Sequence, residues 1–366
     1  MVQAVAPVIG RLLLLAALLF PGGAGAEAQL KVPPGFHVEV FASSVGSVRL
    51  MVLDPAGTLL VSVPSRGRVL ALPDANGDGK ADAVQTVVEG LDQPHGLAFK
   101  DGALYVAEGG RVQRFHYDPA TRKATRGTVV VRELPQGGNH WTRTVVFGPD
   151  GRLYVSVGSS CNVCRESDKR RAAVIRYNAD GSGEQLFATG LRNAVGLAFH
   201  PSTGVLWATV NERDWRGDDV PPDYVTEVKE GAFHGWPDCM TVGGKVLADD
   251  KGARCDGVTR PTVEIQAHSA PIGLAFYTGG QFPADYRGSL FVAYRGSWNR
   301  SIPTGYKVVR IRFQDGKPAG VEDFATGWLE GSSAWGRPVD VALGRDGALY
   351  VSDQGAGRIY RISHRP

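Results

Sequence analysis

The 366 residues carry 40 Lys and Arg against 37 Asp and Glu, for a net charge of +3, and include 48 Gly, 22 Pro and 43% hydrophobic residues. Balanced charge with no basic run excludes a nucleic-acid partner of the usual electrostatic kind, and so much Gly and Pro argues against long helices and for short strands joined by turns. The length is ample for a domain that buries a sizeable core.

Taken in order, residues 1–28 read as a cleavable secretory leader. Arg11 precedes an apolar run at 12–20 that is too short to span a bilayer, Pro21-Gly22-Gly23 breaks it, and Ala24-Gly25-Ala26 offers a small-residue cleavage site. The mature protein is therefore expected to be periplasmic or secreted, with no membrane span after leader removal and one domain over 29–366. Export admits disulfides, and the four cysteines pair naturally as Cys161–Cys164 and Cys239–Cys255. Arg165, not histidine, follows the Cys-x-x-Cys, which excludes covalent haem, and the spacing of the second pair does not suit a zinc quartet.

From residue 49 onward one unit recurs: an apolar strand, a turn with glycine, then a strand of the Leu-Tyr-Val type. Its turn glycines are Gly57, Gly102, Gly151, Gly204, Gly288 and Gly347. Repeats of this size, built from short strands, are propeller blades. The expectation is an all-β, six-bladed β-propeller closed by residues 35–42 beside 358–362. The long interval between Gly204 and Gly288 holds an insertion carrying Cys239 and Cys255, expected on the binding face. Between the first and second units, Asp74, Asn76, Asp78 and Asp82 fall at positions 1, 3, 5 and 9 of an EF-hand-type loop, with Gly79 at 6 and the carbonyl of Lys80 at 7. Gln85 stands where the bidentate glutamate belongs. A structural calcium ion is expected there, between blades one and two.

Aligning the units on the last residue of the inner strand sets Leu53, Phe99, Phe147, Phe199, Phe276 and Leu343 in register. Seven residues earlier stand Gly46, Asp92, His140, Arg192, Ser269 and Gly336; six earlier stand Ser47, Gln93, Trp141, Asn193, Ala270 and Arg337. These positions lead into the inner strands, so His140, Arg192, Asn193, Arg337 and Gln93 should meet at one mouth of the central channel. That is a pattern of a site rather than of packing. His95 is off this phase and reads as structural; His234, His268 and His364 receive no role.

Asn139-His140 ahead of Gly148-Pro149-Asp150-Gly151, the string Gly190-Leu191-Arg192-Asn193-Ala194-Val195-Gly196, and His234-Gly235-Trp236-Pro237 together resemble the soluble glucose/sorbosone dehydrogenases. The similarity runs over essentially the whole mature chain and is closest to the sorbosone-dehydrogenase-like branch. Those enzymes are periplasmic six-bladed propellers that use pyrroloquinoline quinone (PQQ) and calcium. The resemblance implies oxidation of a small sugar or alcohol (an aldose or sorbosone-like compound) by hydride transfer to the quinone, with an electron acceptor the sequence does not identify. It makes His140 the general base, whose ordinary pKa of about 6.5 suits that role at neutral pH. Arg192 and Asn193 match groups that hold the quinone oxygens. Arg337, and with it Arg295, match cations that pair with the cofactor's carboxylates. Gln93 lies near a family Gln-Asn-Gly loop that is otherwise missing. Asp214 belongs to Asn211-Glu212-Arg213-Asp214-Trp215, which stands where the glucose enzymes take calcium ligands but lacks their Gly-Pro. Val339 replaces a second family arginine. Two other readings stay open: a calcium-dependent lactonase-type hydrolase, which wants carboxylates converging on the channel, and a non-catalytic binding propeller.

Overall fold

Each unit's second strand, such as Leu59–Val63, Leu104 within Ala103–Ala107, or Leu153–Val157, is buried along its whole length. Apolar on both faces, such a strand can exist only between two neighbouring sheets, and six of them in succession produce a ring. The computed structural model, which describes residues 1–2, 30–250 and 252–365, shows that ring; the leader reading lies outside the described residues apart from Met1 and Val2.

Blade one is Met51–Leu53, Leu59–Val63, Arg68–Leu72 and Gln85–Glu89, and blade two is Leu97–Lys100, Ala103–Ala107, Val112–Asp118 and Lys123–Val131. Blade three is Arg143–Phe147, Leu153–Val157, Ala173–Tyr177 and Gln185–Thr189, with Ala232–Phe233 added parallel at its rim. Blade four is Ala194–Phe199, Leu206–Val210, Asp223–Val228 and Val263–Ile265; blade five is Pro271–Phe276, Leu290–Tyr294, Lys307–Gln314 and Lys317–Ala325. Blade six joins Pro338–Leu343, Leu349–Asp353 and Arg358–His364 to Phe36–Ala42, with Phe36 opposite His364. The expected six-bladed propeller and its closure are both present. No α-helix occurs among the described residues, and no helix is long and apolar enough to cross a membrane.

The inner strands pack against one another closely enough to restrict side chains. A Cβ on Gly196 of blade four would lie 2.1 Å from the Ile272 carbonyl oxygen of blade five, so only glycine permits that approach. Hydrogen bonds cross the blade boundaries: Ser62 Oγ donates to the His95 carbonyl (2.8 Å), Thr209 Oγ1 to the Ile272 carbonyl (2.6 Å), and the Met51 amide to Asp340 Oδ2 (2.7 Å). On the axis Leu50, Val195, Ile272 and Val339 form a small buried cluster. Val339, the residue that departs from the family's arginine, is thus part of an apolar plug beneath the mouth.

Both expected disulfides are formed. The insertion is tied down by Arg213, fully buried, which pairs with Glu212 (2.9 Å) and Asp249 (3.1 Å) and donates to the carbonyl of Cys239 (2.7 Å). The other departure is therefore a structural anchor of that loop. One expectation is corrected. The acidic loop 74–82 lies inside blade one, between its third and outermost strands, and not between blades one and two. Its carboxylates take up its own amides: Asp74 Oδ1 accepts from Gly77 and Asp74 Oδ2 from Gly79, Asp78 Oδ1 from Lys80 and Asp82 Oδ2 from Ala75. Gln85 is drawn away to the Thr121 carbonyl and Arg122 of blade two.

Candidate active site

Above the apolar plug the mouth opens into a cavity of about 580 Å³, whose wall includes His140, Arg192, Asn193, Asp214 and Arg295. Five residues expected at the site, from blades three, four and five, thus converge. Arg337 does not line this cavity. It stands beside it, its guanidinium 5.0 Å from the Tyr306 ring and close enough to Arg295 to lower that residue's pKa. Gln93 is exposed and lines an adjoining pocket that shares Arg49, Trp141 and Gln354 with the main one.

His140 is held by its Nδ1, which lies 2.9 Å from both the carbonyl oxygen and Oγ of Ser159. Ser159 Oγ itself donates to the Cys161 carbonyl (2.7 Å), so the carbonyl of Ser159 is the acceptor that fixes the proton on Nδ1. Nε2 is left with its lone pair. Burial, and next the charge of Arg192, push the ring's pKa down to about 3. This differs from the ordinary value expected from sequence, and the reason is that the segment carrying His140 is enclosed while the charges of Arg192, Arg143 and Arg171 act on the ring. The imidazole is therefore neutral across the physiological range.

Gly158 explains how His140 and Asn193 come together. A Cβ there would sit 2.5 Å from Asn193 Oδ1 and 2.6 Å from His140 Cβ, so both side chains close over a bare backbone. Asn193 Oδ1 has no hydrogen-bond partner although it is buried. Arg192 is the opposite case. Its guanidinium, 2% exposed, donates to the carbonyls of Asn162, Asn211 and Glu212, to Asn162 Oδ1 and to Asp214 Oδ2 (2.8 Å). Asp214 Oδ1 in turn accepts from Asn299. Arg192 and Asp214 neutralise each other and form a rigid wall.

Sequence phase missed a buried cation on the cavity wall. Arg49 donates from Nη2 to His95 Nε2 (3.2 Å) and from Nη1 to Gln354 (3.2 Å), while its Nε has no partner. Burial, and next Arg295, lower its pKa to about 9. Gln354 Oε1 also accepts from Arg295 Nε (2.8 Å), so one amide oxygen serves two guanidinium groups. His95, expected to be structural, has its Nδ1 against the Arg143 carbonyl and acts as the acceptor that seats Arg49. The signal was present one step further along the repeat. Four residues before the alignment point stand Arg49, His95, Arg143, Val195, Ile272 and Val339, a ring that is polar on one side and apolar on the other.

Carboxylates also line the wall, none of them free. Glu212 is spent on Arg213, Asp214 on Arg192, and Asp223 accepts the amides of Glu212 (2.8 Å) and Ala270 (2.9 Å), burial lifting its pKa to about 7. Trp215 and Trp298 stand at the rim, 70% and 62% exposed and perpendicular at 5.2 Å. Among the described residues the one cluster of three potential metal-ligating side chains is Cys161, Cys164 and Glu166, and its two sulfurs are joined to each other.

A family model described as TrAA12-like matches residues 30–252 and 244–365. An uncharacterized protein of Borreliella burgdorferi is 29% identical over 356 residues, which cover 92% of this chain and 91% of that one. A pyrroloquinoline quinone-dependent pyranose dehydrogenase of Coprinopsis cinerea is 27% identical over 93% of this chain and 56% of its own length, so the chain spans about half of that relative. The structure of the holo form of the PQQ domain of Coprinopsis cinerea pyranose dehydrogenase superposes with a TM-score of 0.80 at 25% identity, covering 94% of this chain and 99% of that one.

Proposed function

The chain belongs to the TrAA12-like family, and on that footing we propose that it is a periplasmic quinoprotein oxidising a sugar, an aldose or a sorbosone-like compound, with PQQ as cofactor and calcium as its companion ion. The observation that carries the reading is the unequal charge of the cavity. Arg192 is matched by Asp214, but among the described residues Arg49 and Arg295 on the wall and Arg337 beside it have no carboxylate partner in an ion pair, and Arg49 Nε and Arg337 Nη1 are buried without an acceptor. Buried cations left this way call for an anion. A planar molecule with three carboxylates fits that donor set, and guanidinium is the group best shaped to meet carboxylates in pairs. Oxygen donors for calcium on the same wall are the unpartnered Oδ1 atoms of Asn193 and Asn299 together with Asp214.

When bound, the quinone supplies a two-electron acceptor for the hydrogen leaving the substrate carbon. The residues of the chain do the remaining work. His140 takes the proton of the reacting hydroxyl on Nε2, the nitrogen that Ser159 leaves bare. Its depressed pKa guarantees that this site is unprotonated when the substrate arrives. Asn193, with its unsatisfied Oδ1 beside His140, orients a hydroxyl or a cofactor oxygen. The indole rings of Trp215 and Trp298 offer apolar faces to the C–H side of a pyranose ring. The guanidinium groups of Arg49, Arg295 and Arg337, which a channel ion would repel and an anionic cofactor would satisfy, favour the quinoprotein reading over the hydrolase alternative.

The reading is tested by adding PQQ and calcium to purified apoprotein and following quinone absorbance and dye reduction with a panel of aldoses. Saturable binding and sugar-dependent dye reduction are expected; a protein that binds the quinone with no dissociation constant below the millimolar range would end the dehydrogenase reading. The loop of Asp74, Asn76, Asp78, Lys80 and Asp82 is proposed as a separate, structural calcium site. Asp78→Ala should lower Tm in calcium buffer and have little effect in chelator, since an ion that binds only the folded state stabilises it by mass action. Equal shifts in both buffers would show that the loop holds no ion.

A further inference from the structure

The segment Ser159–Ser160–Cys161–Asn162–Val163–Cys164 lies behind both halves of the cavity. On one side Ser159 receives the Nδ1 proton of His140, and the Ser160 carbonyl accepts the Asn139 amide (2.8 Å), which fixes the approach to the histidine. On the other side Asn162 meets three partners at once. Its carbonyl accepts from Arg192 Nε (3.0 Å) and Trp236 Nε1 (3.0 Å); its Oδ1 accepts from Arg192 Nη2 (2.9 Å) and the Asp214 amide (2.8 Å); its Nδ2 donates to the Asp214 carbonyl (3.0 Å). A single asparagine thus joins blade three to Arg192 at the head of blade four, to Asp214, and to the Gly-Trp-Pro turn of the insertion.

The same segment is stiffened twice. Cys161 and Cys164 are bonded to each other around Asn162, and Glu166 accepts the Ser160 amide (2.5 Å) and its hydroxyl (2.9 Å). Arg171, mostly buried, stands 3.8 Å from Glu166 and donates to the Gln136 and Gly137 carbonyls of the strand lead-in to His140. Such closure removes the freedom of a loop that otherwise has no regular structure. An isolated short bridge of this kind adds little to the stability of a ring already closed by its sixth blade. Its position fits a different use.

We propose that the disulfide-closed segment 159–164 is the positioning element of the site, with Asn162 as the residue that sets Arg192 and Asp214 relative to His140. The inference rests on the proposed function for its cofactor and goes beyond it in assigning residues that do not touch the reacting atoms. Asparagine is required because both faces of its amide are used: Oδ1 must accept from a cation and an amide while Nδ2 donates to a carbonyl. Aspartate preserves the two acceptor bonds but turns an oxygen, in place of the donating amide, to the Asp214 carbonyl. Leucine of similar volume loses all three side-chain bonds and leaves Arg192 Nη2 with Asp214 alone.

The experiment compares wild type, Asn162→Leu, Asn162→Asp and the double variant Cys161→Ser/Cys164→Ser by equilibrium titration with PQQ in calcium buffer, alongside dye reduction and Tm. Asn162→Leu is expected to bind the quinone at least tenfold more weakly and to lose at least tenfold in kcat, with Tm lowered by no more than a few degrees. Asn162→Asp, which keeps only the acceptor bonds, is expected to recover part of both. The double serine variant, still able to fold around its hydrogen bonds, should lose kcat more than it loses Tm. If Asn162→Leu fails to fold, the aspartate and double serine variants carry the same comparison. Quinone affinity and kcat equal to wild type in folded Asn162→Leu or in the double variant would overturn the proposal. Loss in Asn162→Asp as large as in Asn162→Leu would overturn it too, since a positioning role demands rescue by the retained acceptors. Wild type that neither binds PQQ nor reduces dye refutes the proposed function instead, and the two failures are thereby distinguished.

Discussion

His140→Ala is expected to reduce turnover by about 10²–10⁴, the usual cost of removing a general base, while the quinone titrates as in wild type. The side chain removed is a neutral ring whose hydrogen-bond partner among the described residues is Ser159, so neither charge balance nor the cofactor's anchors change. The pH dependence is the sharper part of the test. With the ring held near 3 by burial and Arg192, the base stays unprotonated down to well below its ordinary titration range. Activity should then be flat as pH falls through 6.5 and decline only in more acidic solution. The sign for stability follows from the same shift: the unfolded chain takes up a proton near pH 6.5 and the folded one does not. His140 therefore stabilises the fold fully above 6.5 and progressively less on acidification toward 3. Wild-type turnover in the variant, or an acid limb at 6.5 or above that disappears with the histidine unchanged, would remove His140 from the chemistry.

Arg295→Met is expected to weaken PQQ binding by more than tenfold without lowering the Tm of the apoprotein. Truncating one side of a buried charge pair typically costs about 2–5 kcal/mol of binding, and Arg295 is on the cavity wall. In the apoprotein the balance runs the other way. Burial and then the neighbouring Arg337 already depress the Arg295 pKa, and Arg49 feels Arg295 as a like charge. Removing one of three clustered cations relieves repulsion until an anion arrives. Arg337→Met, displaced from the cavity and stacked on Tyr306, should show the smaller loss of affinity of the two. A variant with unchanged affinity and a lower apoprotein Tm would mark Arg295 as a structural cation.

The repeat made the architecture legible because every blade reuses one strand-turn-strand pattern and the pattern's phase maps directly onto distance from the axis. That is why His140 on blade three and Arg192 and Asn193 on blade four could be assigned to one mouth. The same logic failed for Arg337 and Gln93, which share the phase but follow turns of different shape: Gln93 itself adopts a positive φ of 50° and turns outward. It also passed over Arg49 and His95, whose pairing exists only because blades one and two bring them within 3.2 Å. The Cys-x-x-Cys was legible as a bridge but not as the frame around Asn162, since nothing in its spacing reveals which carbonyls and amides a loop will meet. Acidic residues in 211–223 were visible, and their neutralisation by Arg213, Arg192 and backbone amides was not.

The blade-six ladder, in which Phe36–Ala42 completes the sheet of Arg358–His364, has a consequence for how the protein comes to be folded. Gln354 and Ser47, hydrogen-bonded beside that ladder, are 307 residues apart, so the ring cannot be sealed until nearly the whole chain is available. Five blades can assemble from local hairpins, but until the last strand arrives the first keeps an open edge, the kind of surface that recruits strands from other molecules. Joining ends this distant makes folding slow far more than it makes the product unstable. If the chain is exported as proposed, it gains from remaining unfolded through translocation and sealing its ring on the far side, and a nascent chain stalled short of Arg358 is expected to aggregate, not to form a five-bladed intermediate of lasting stability.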